Sequence, residues 1–169
     1  MATSPCDRYV VDVPSVYLET SVLSYLTARP ARDLITAARQ QVTRDWWATN
    51  RVRFALYASQ VVLDEVAAGD PTASTRRLAR AANVPLLDVT AAAGALAQRL
   101  QALAAFPTKA GVDALHVAVA TVHGMDYLLT WNLRHIANAE RRPLIERACR
   151  SAGYRPPVIC TPDELMEGS

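Results

Sequence analysis

Lysine is almost absent from this sequence: Lys109 stands alone, and every other basic side chain is arginine. Arginine binds phosphate bidentately and stacks on bases, but a genome-wide compositional bias gives the same skew. The net charge of +2 is too small to announce a nucleic-acid partner. Cysteine is scarce as well. Cys6, Cys149 and Cys160 are odd in number and lack CxxC spacing, which argues for reduced structural thiols over a disulfide framework or a zinc site. No apolar run approaches the roughly 20 residues needed to span a bilayer, so no membrane association is expected. The first dozen residues carry Asp7, Arg8 and Asp12 and do not read as a secretory leader, which makes the cytoplasm the expected compartment. Also missing are a Cys/His zinc set, a phosphate-binding glycine loop and a Gly-x-Ser-x-Gly elbow, and with them the chemistries they serve.

What remains is an ordinary globular balance, half hydrophobic and a fifth charged, in 169 residues. That length suits one well-packed domain and is short for two. Basic residues gather late, at Arg134, Arg141, Arg142, Arg147, Arg150 and Arg155, opposed only by Glu140 and Glu146. Such a face is either a phosphate-backbone contact or a solvated helix surface.

Short β-like runs alternate with longer helical ones. Residues 13–18 read as a first strand, with Thr20 or Ser21 capping the helix that follows. Leu34, Ile35, Ala38, Val42 and Trp46 recur at helical spacing within residues 31–49, predicting a long amphipathic helix with that stripe inward. Residues 53–58 form a second strand candidate, followed by a helix from Gln60 to about Gly69 and another over 72–82. A short strand over 85–89 precedes an alanine- and leucine-rich helix capped by Thr90 and ended by Pro107. The most apolar helix runs from Gly111 to Val122 and is closed by Gly124. A fourth strand over 126–130, a helix over 138–152 and a final strand at Val158-Ile159-Cys160 complete the order. Strands separated by helical stretches imply right-handed crossovers and a mostly parallel sheet with helices on both faces. The expected architecture is one three-layer α/β/α domain.

In open α/β sheets ligands gather beyond the carboxyl ends of the strands. Glu19 follows the first strand and Asn132 the fourth. Glu65 lies in the helix after the second strand, and Asp113 heads the apolar helix. Singly, each acid has a plain explanation: Asp113 complements a helix dipole, and Glu65 is a solvated side chain. Taken together, with two of the four positions at carboxyl ends of strands, those plain explanations weaken.

The ordered set Tyr17-Leu18-Glu19-Thr20-Ser21, Val62-Leu63-Asp64-Glu65-Val66, Asp113-Ala114-Leu115-His116-Val117-Ala118 and Leu128-Leu129-Thr130-Trp131-Asn132 resembles the PIN-domain family. Within that family it is most similar to the VapC-like toxins of prokaryotic type II toxin–antitoxin pairs. The resemblance covers about residues 15 to 165. It implies a PIN-like nuclease domain over 14–165 behind an N-terminal extension of residues 1–13. It further implies a ribonuclease whose acids hold Mg²⁺, with Mn²⁺ as substitute, an RNA substrate, an antitoxin protein as partner, and a homodimer. Motif by motif, Glu19, Glu65 and Asp113 take the first three acidic positions, and Asn132 falls where many relatives carry a fourth acid. Asp64 leaves the register at Glu65 open by one residue.

Two departures stand out. Glu19 replaces the usual Asp and is one methylene longer, but it still offers a hard oxygen ligand. Asn132 is neutral and donates only a carbonyl oxygen or a hydrogen bond. An RNA phosphodiester is anionic and repels hydroxide, so its hydrolysis calls for a metal, and Mg²⁺ prefers oxygen ligands while keeping several waters. Carboxylates this close should repel when metal-free, which should raise some of their pKa values.

The hydroxyls of Thr20, Ser21 and Thr130 lie beside the acids and serve either to orient them or as caps and turns. His116, three residues beyond Asp113, reads as a packed histidine before a partner of the acids. His135 and Arg134 are placed at the rim. Asp126 serves structurally at its strand's start. Trp46 fits the core, and Trp47 is the expected partner contact. Two rivals remain: a non-catalytic PIN-like module that binds RNA or protein, and a phosphatase or receiver domain that uses an aspartyl phosphate. Glu19 is a poor stand-in for that aspartate.

Overall fold

The computed structural model describes residues 13–166; the expected extension over 1–13 falls almost wholly outside them, as does Cys6. Five strands form one sheet: β1 (Ser15–Leu18), β2 (Ala55–Ser59), β3 (Leu86–Leu87), β4 (Tyr127–Leu129) and β5 (Val158–Cys160). Seven α-helices connect them: α1 (Thr20–Thr27), α2 (Leu34–Asp45), α3 (Gln60–Ala67), α4 (Pro71–Ala81), α5 (Ala91–Ala102), α6 (Gly111–Val122) and α7 (Arg142–Ser151). The strand order is β3-β2-β1-β4-β5, and every pairing is parallel. The expected α/β architecture is therefore the observed one, with a sheet parallel throughout.

Parallel strands must be covered on both faces, so they read as continuous apolar runs. Val16, Tyr17 and Leu18 of β1 are all fully buried. Helices α1 to α4 pack among themselves, as do α5, α6 and α7, giving one helical layer on each face. The core includes Val22 and Leu23 of α1, Leu96 and Leu100 of α5 and a nearly continuous Ala114–Thr121 stretch of α6. Starting from β1, the chain moves outward to β2 and β3, then returns to lay β4 on the other side of β1. The strand order thus reverses between β1 and β4, the place where such sheets open a crevice at their carboxyl ends.

Several boundaries and faces differ from the sequence reading. The last helix starts at Arg142, with Pro143 in its first turn, because residues 138–141 close as turns. The N-cap of α1 is Glu19, whose side chain accepts the Ser21 amide, in place of Thr20 or Ser21. The long helix over 31–49 is α2 followed by a π turn at Trp46–Asn50, where the Arg51 amide reaches the Trp46 carbonyl. The wider turn brings both Trp46 and Trp47 inward. Trp47 is buried under the Arg51 guanidinium, 5.1 Å from its ring, and is not the surface contact expected of it.

α2 is also rotated relative to its apolar stripe. Its buried positions are Gln40 and Thr43, both satisfied by hydrogen bonds. Gln40 accepts the Ala31 amide and donates to the Arg29 carbonyl, and Thr43 accepts from the Trp131 indole. Leu34 and Ile35 are 87% and 66% exposed.

Candidate metal centre

Glu19 continues directly from β1, its amide still bonded to the Leu129 carbonyl of β4. This places its carboxylate at the mouth of the switch-point crevice, yet only 5% of the residue is exposed. Burying a carboxylate is costly unless donors replace its water, and three do so here. The Ser21 amide (3.2 Å), the Ser21 hydroxyl and the Thr130 hydroxyl (2.6 Å) all reach Glu19 Oε2. Glu65 arrives from the first turns of α3, beyond the carboxyl end of β2. Its Oε2 accepts from the Thr20 hydroxyl and lies 2.7 Å from His116 Nε2. Burial alone would push the Glu65 carboxyl upward, but the hydrogen bonds from His116 and Thr20 outweigh it and hold the group below the usual carboxylate range. For this acid the shift is opposite to the rise expected from crowded like charges.

One ligand atom each from Glu19, Glu65 and His116 lie within 4.8 Å of one another, positioned to bind a metal ion. Among the described residues, the hydrogen bonds to both glutamates fall on Oε2, which leaves each Oε1 for a cation. Two hard carboxylate oxygens suit Mg²⁺ and Mn²⁺ alike, and the imidazole, bonded to Glu65 through Nε2, orients one of them.

The other two sequence candidates form a neighbouring pair. Asn132 Nδ2 donates to Asp113 Oδ1 at 2.9 Å, and His135 Nδ1 lies 2.7 Å from Asp113 Oδ2. The Asn132 Oδ1 accepts the His135 amide. Asp113 does not join the Glu19–Glu65–His116 group. Thr130 links the two halves, because its hydroxyl donates to Glu19 and accepts the Asn132 amide at 2.9 Å. The Ser21 hydroxyl similarly accepts the Trp131 amide at 2.7 Å, so the segment after β4 is pinned to the segment after β1.

All three hydroxyls named beside the acids thus serve them. His116, read first as packing, is both fully buried and bonded to Glu65; its helical spacing from Asp113 pointed to the wrong acid. His135, placed at the rim by its position after Asn132, is half-buried and engages Asp113. Asp126 does clamp the start of its strand, accepting the Ser15 amide and hydroxyl at 2.9 Å each. Three of the late arginines are drawn into ion pairs. Arg142 pairs with Glu164, Arg150 with Glu146 and Arg155 with Asp126, at 3.7 to 3.9 Å.

No family model matches the chain, and no curated protein matches it. Among solved structures it is similar to the crystal structure of VapC20 from Mycobacterium tuberculosis, a sarcin–ricin loop cleaving toxin. The identity is 21% and the TM-score 0.53, over 74% of this chain and 95% of that one. The chain has the α/β fold of that toxin.

Proposed function

We propose that this chain is a metal-dependent ribonuclease, the toxin of a type II toxin–antitoxin pair, working in the cytoplasm as a homodimer. The observation that carries the reading is the convergence of Glu19 and Glu65 at the sheet's switch point. Each is held through one oxygen by hydroxyls from neighbouring elements. Two carboxylates fixed this way, each with an oxygen left over, suit a hard cation, and the likeness in fold to a sarcin–ricin loop cleaving toxin gives the cation a use. Mg²⁺ or Mn²⁺ at such a centre polarises water and screens the charge that builds on the phosphate.

The residues' tasks follow from their bonds. Glu19 and Glu65 hold the ion, while Ser21, Thr130 and Thr20 orient their carboxylates. Asp113 and Asn132 border the centre through Thr130 and complete the proposed site, with Asp113 as the third acid and Asn132 as a neutral oxygen donor. The domain over 14–165 is the nuclease unit. Glu19→Gln, Glu65→Gln and Asp113→Asn are each expected to lower Mn²⁺-supported cleavage of single-stranded RNA by at least about 100-fold with the fold intact by circular dichroism. Wild-type cleavage by both glutamate variants would overturn the site.

A partner surface supports the toxin reading separately. Leu34, Ile35 and Ala38 of α2, with Val42, Trp131 and Leu133, line an open groove of about 700 Å³. Asp163, the Arg142–Glu164 ion pair and Arg39, which lies over the Trp131 ring, also line it. Exposed apolar side chains grouped in this way mark an interaction site, and an antitoxin segment is the proposed occupant. The rival reading, a non-catalytic binding module, draws on Asp113 being engaged by Asn132 and His135. RNA binding that persists without any Mn²⁺ binding in calorimetry would favour it.

A further inference from the structure

Behind Glu65 the core contains polar groups that the proposed site does not use. His116 and Tyr17 are fully buried, and Ser59 is too. His116 Nδ1 lies 2.9 Å from the Tyr17 hydroxyl, and that hydroxyl lies 2.7 Å from Ser59 Oγ. With the 2.7 Å contact from His116 Nε2 to Glu65, the links make a continuous chain: Ser59, Tyr17, His116, Glu65.

We infer that Tyr17, His116 and Ser59 are positioning residues for the metal centre, a buried hydrogen-bond chain that fixes the Glu65 carboxylate from the side opposite the crevice. The inference rests on Glu65 being a metal ligand, as proposed above. Three features carry it. A carboxylate can only accept, so Nε2 carries the proton and donates to Glu65. A neutral ring then accepts at Nδ1 from the Tyr17 hydroxyl, which accepts from Ser59; a protonated ring reverses both links, and the chain is complete either way. In both cases the ring is locked at both nitrogens.

Second, Ser59 is the N-cap residue of α3, a place where a serine side chain normally bonds the helix's own amides. Its side chain makes no cap bond and turns to Tyr17 instead. The helix gives up a local interaction for a distant one. Third, the chain closes on itself. It leaves α3 at its N-cap, crosses β1 and α6, and returns to α3 at Glu65. A displacement of α6 against α3 would therefore break a bond at one end or the other. Orienting partners of metal ligands act in this way, and their removal typically costs about 10–100-fold in metal affinity or activity.

The experiment is a Mn²⁺ titration by calorimetry alongside RNA cleavage kinetics, on wild type, Tyr17→Phe, Ser59→Ala, His116→Leu, His116→Gln and Glu65→Gln. Thermal melts establish that each variant is folded. Tyr17→Phe and His116→Leu are expected to weaken Mn²⁺ binding and lower kcat by about 10–100-fold with KM for RNA unchanged. Ser59→Ala should shift both in the same direction by less. His116→Gln keeps a donor near the Nε2 position and should recover most of the loss, whereas a packing role would favour leucine. Equal behaviour of His116→Leu and His116→Gln, or wild-type Mn²⁺ affinity in Tyr17→Phe, overturns the inference. If Glu65→Gln loses Mn²⁺ binding while the Tyr17 and His116 variants do not, only the chain's role fails. If Glu65→Gln binds Mn²⁺ like wild type, the site reading fails and the inference with it.

Discussion

Asp126 and Glu65 are both carboxylates held below their ordinary range, but for different ends. Asp126 sits at the amino end of β4, away from the crevice, where it and Ser15 exchange bonds: the Asp126 amide donates to Ser15 Oγ at 3.0 Å, and Ser15 donates twice to Oδ2. The Ser15 amide is the main cause of its lowered pKa; burial opposes it, and the Ser15 hydroxyl and Arg155 add to the lowering. A carboxyl depressed in the folded state contributes stability above its unfolded pKa of about 3.9, and that contribution is lost as pH falls through the folded value. Asp126→Asn should therefore unfold at lower urea than wild type at pH 7, and the gap should close in acid, below about pH 4. A gap that persists unchanged at pH 3 would mean the shape of the side chain matters and its charge does not. At this scale the sequence was informative where chemistry follows chain position. Glu19, Asn132 and Asp126 were placed by the ends of strands. The bond from His116 to Glu65 spans 51 positions, and nothing in local spacing could show it.

Among the elements, α5 and the α6–β4 connection show how one residue type can act in opposite directions. Gly124 ends α6 with φ of +66°, a left-handed conformation that costs a side-chain-bearing residue about 1–2 kcal/mol. Gly94 lies within α5 in ordinary helical backbone. A Cβ at either position meets nothing within 4 Å, so backbone preference alone decides. Gly124→Ala should lower stability by about 1–2 kcal/mol, and Gly94→Ala should raise it by about 0.5–1 kcal/mol, both read from urea unfolding. Equal signs would show that packing has been misjudged at one of them. Element type and order were legible because the apolar period changes cleanly between strands and helices. The facing of α2 was not. Its Leu34-Ile35-Ala38-Val42 stripe has the period of a buried face, yet polar Gln40 and Thr43 take the inward positions because the Arg29 carbonyl, the Ala31 amide and the Trp131 indole supply their partners. An apolar stripe that faces outward has the same period as one that faces the core. The inward turn of Trp47 was likewise hidden, since the π turn that causes it carries no signal of its own in the residues.

For the molecule as a whole, metal binding and stability should be coupled. A ligand that binds only the folded state stabilises it by mass action, about 2.7 kcal/mol at a hundredfold excess over Kd. Mn²⁺ should raise the melting temperature of the wild-type protein, and EDTA should reverse the rise. Neither effect should be seen in a Glu19→Gln, Glu65→Gln double variant. A rise that survives in the double variant would point to an ion bound elsewhere.

The crevice also has a consequence for how the protein is made. β1 is the middle strand, and its partner on the crevice side is β4, so that Glu19 and Thr130 meet across 111 positions of sequence. During synthesis the first acid leaves the ribosome long before the residues that hold it, and N-terminal segments fold only as far as their own contacts allow. Until β4 and the loop after it have emerged, β1 has no neighbour on that side, and Glu19 lacks both the Leu129 carbonyl and the Thr130 hydroxyl. If the chain is the ribonuclease proposed, a nascent chain that ends before Thr130 should therefore be inactive, and a truncation ending at residue 125 is expected to show no Mn²⁺-supported RNA cleavage.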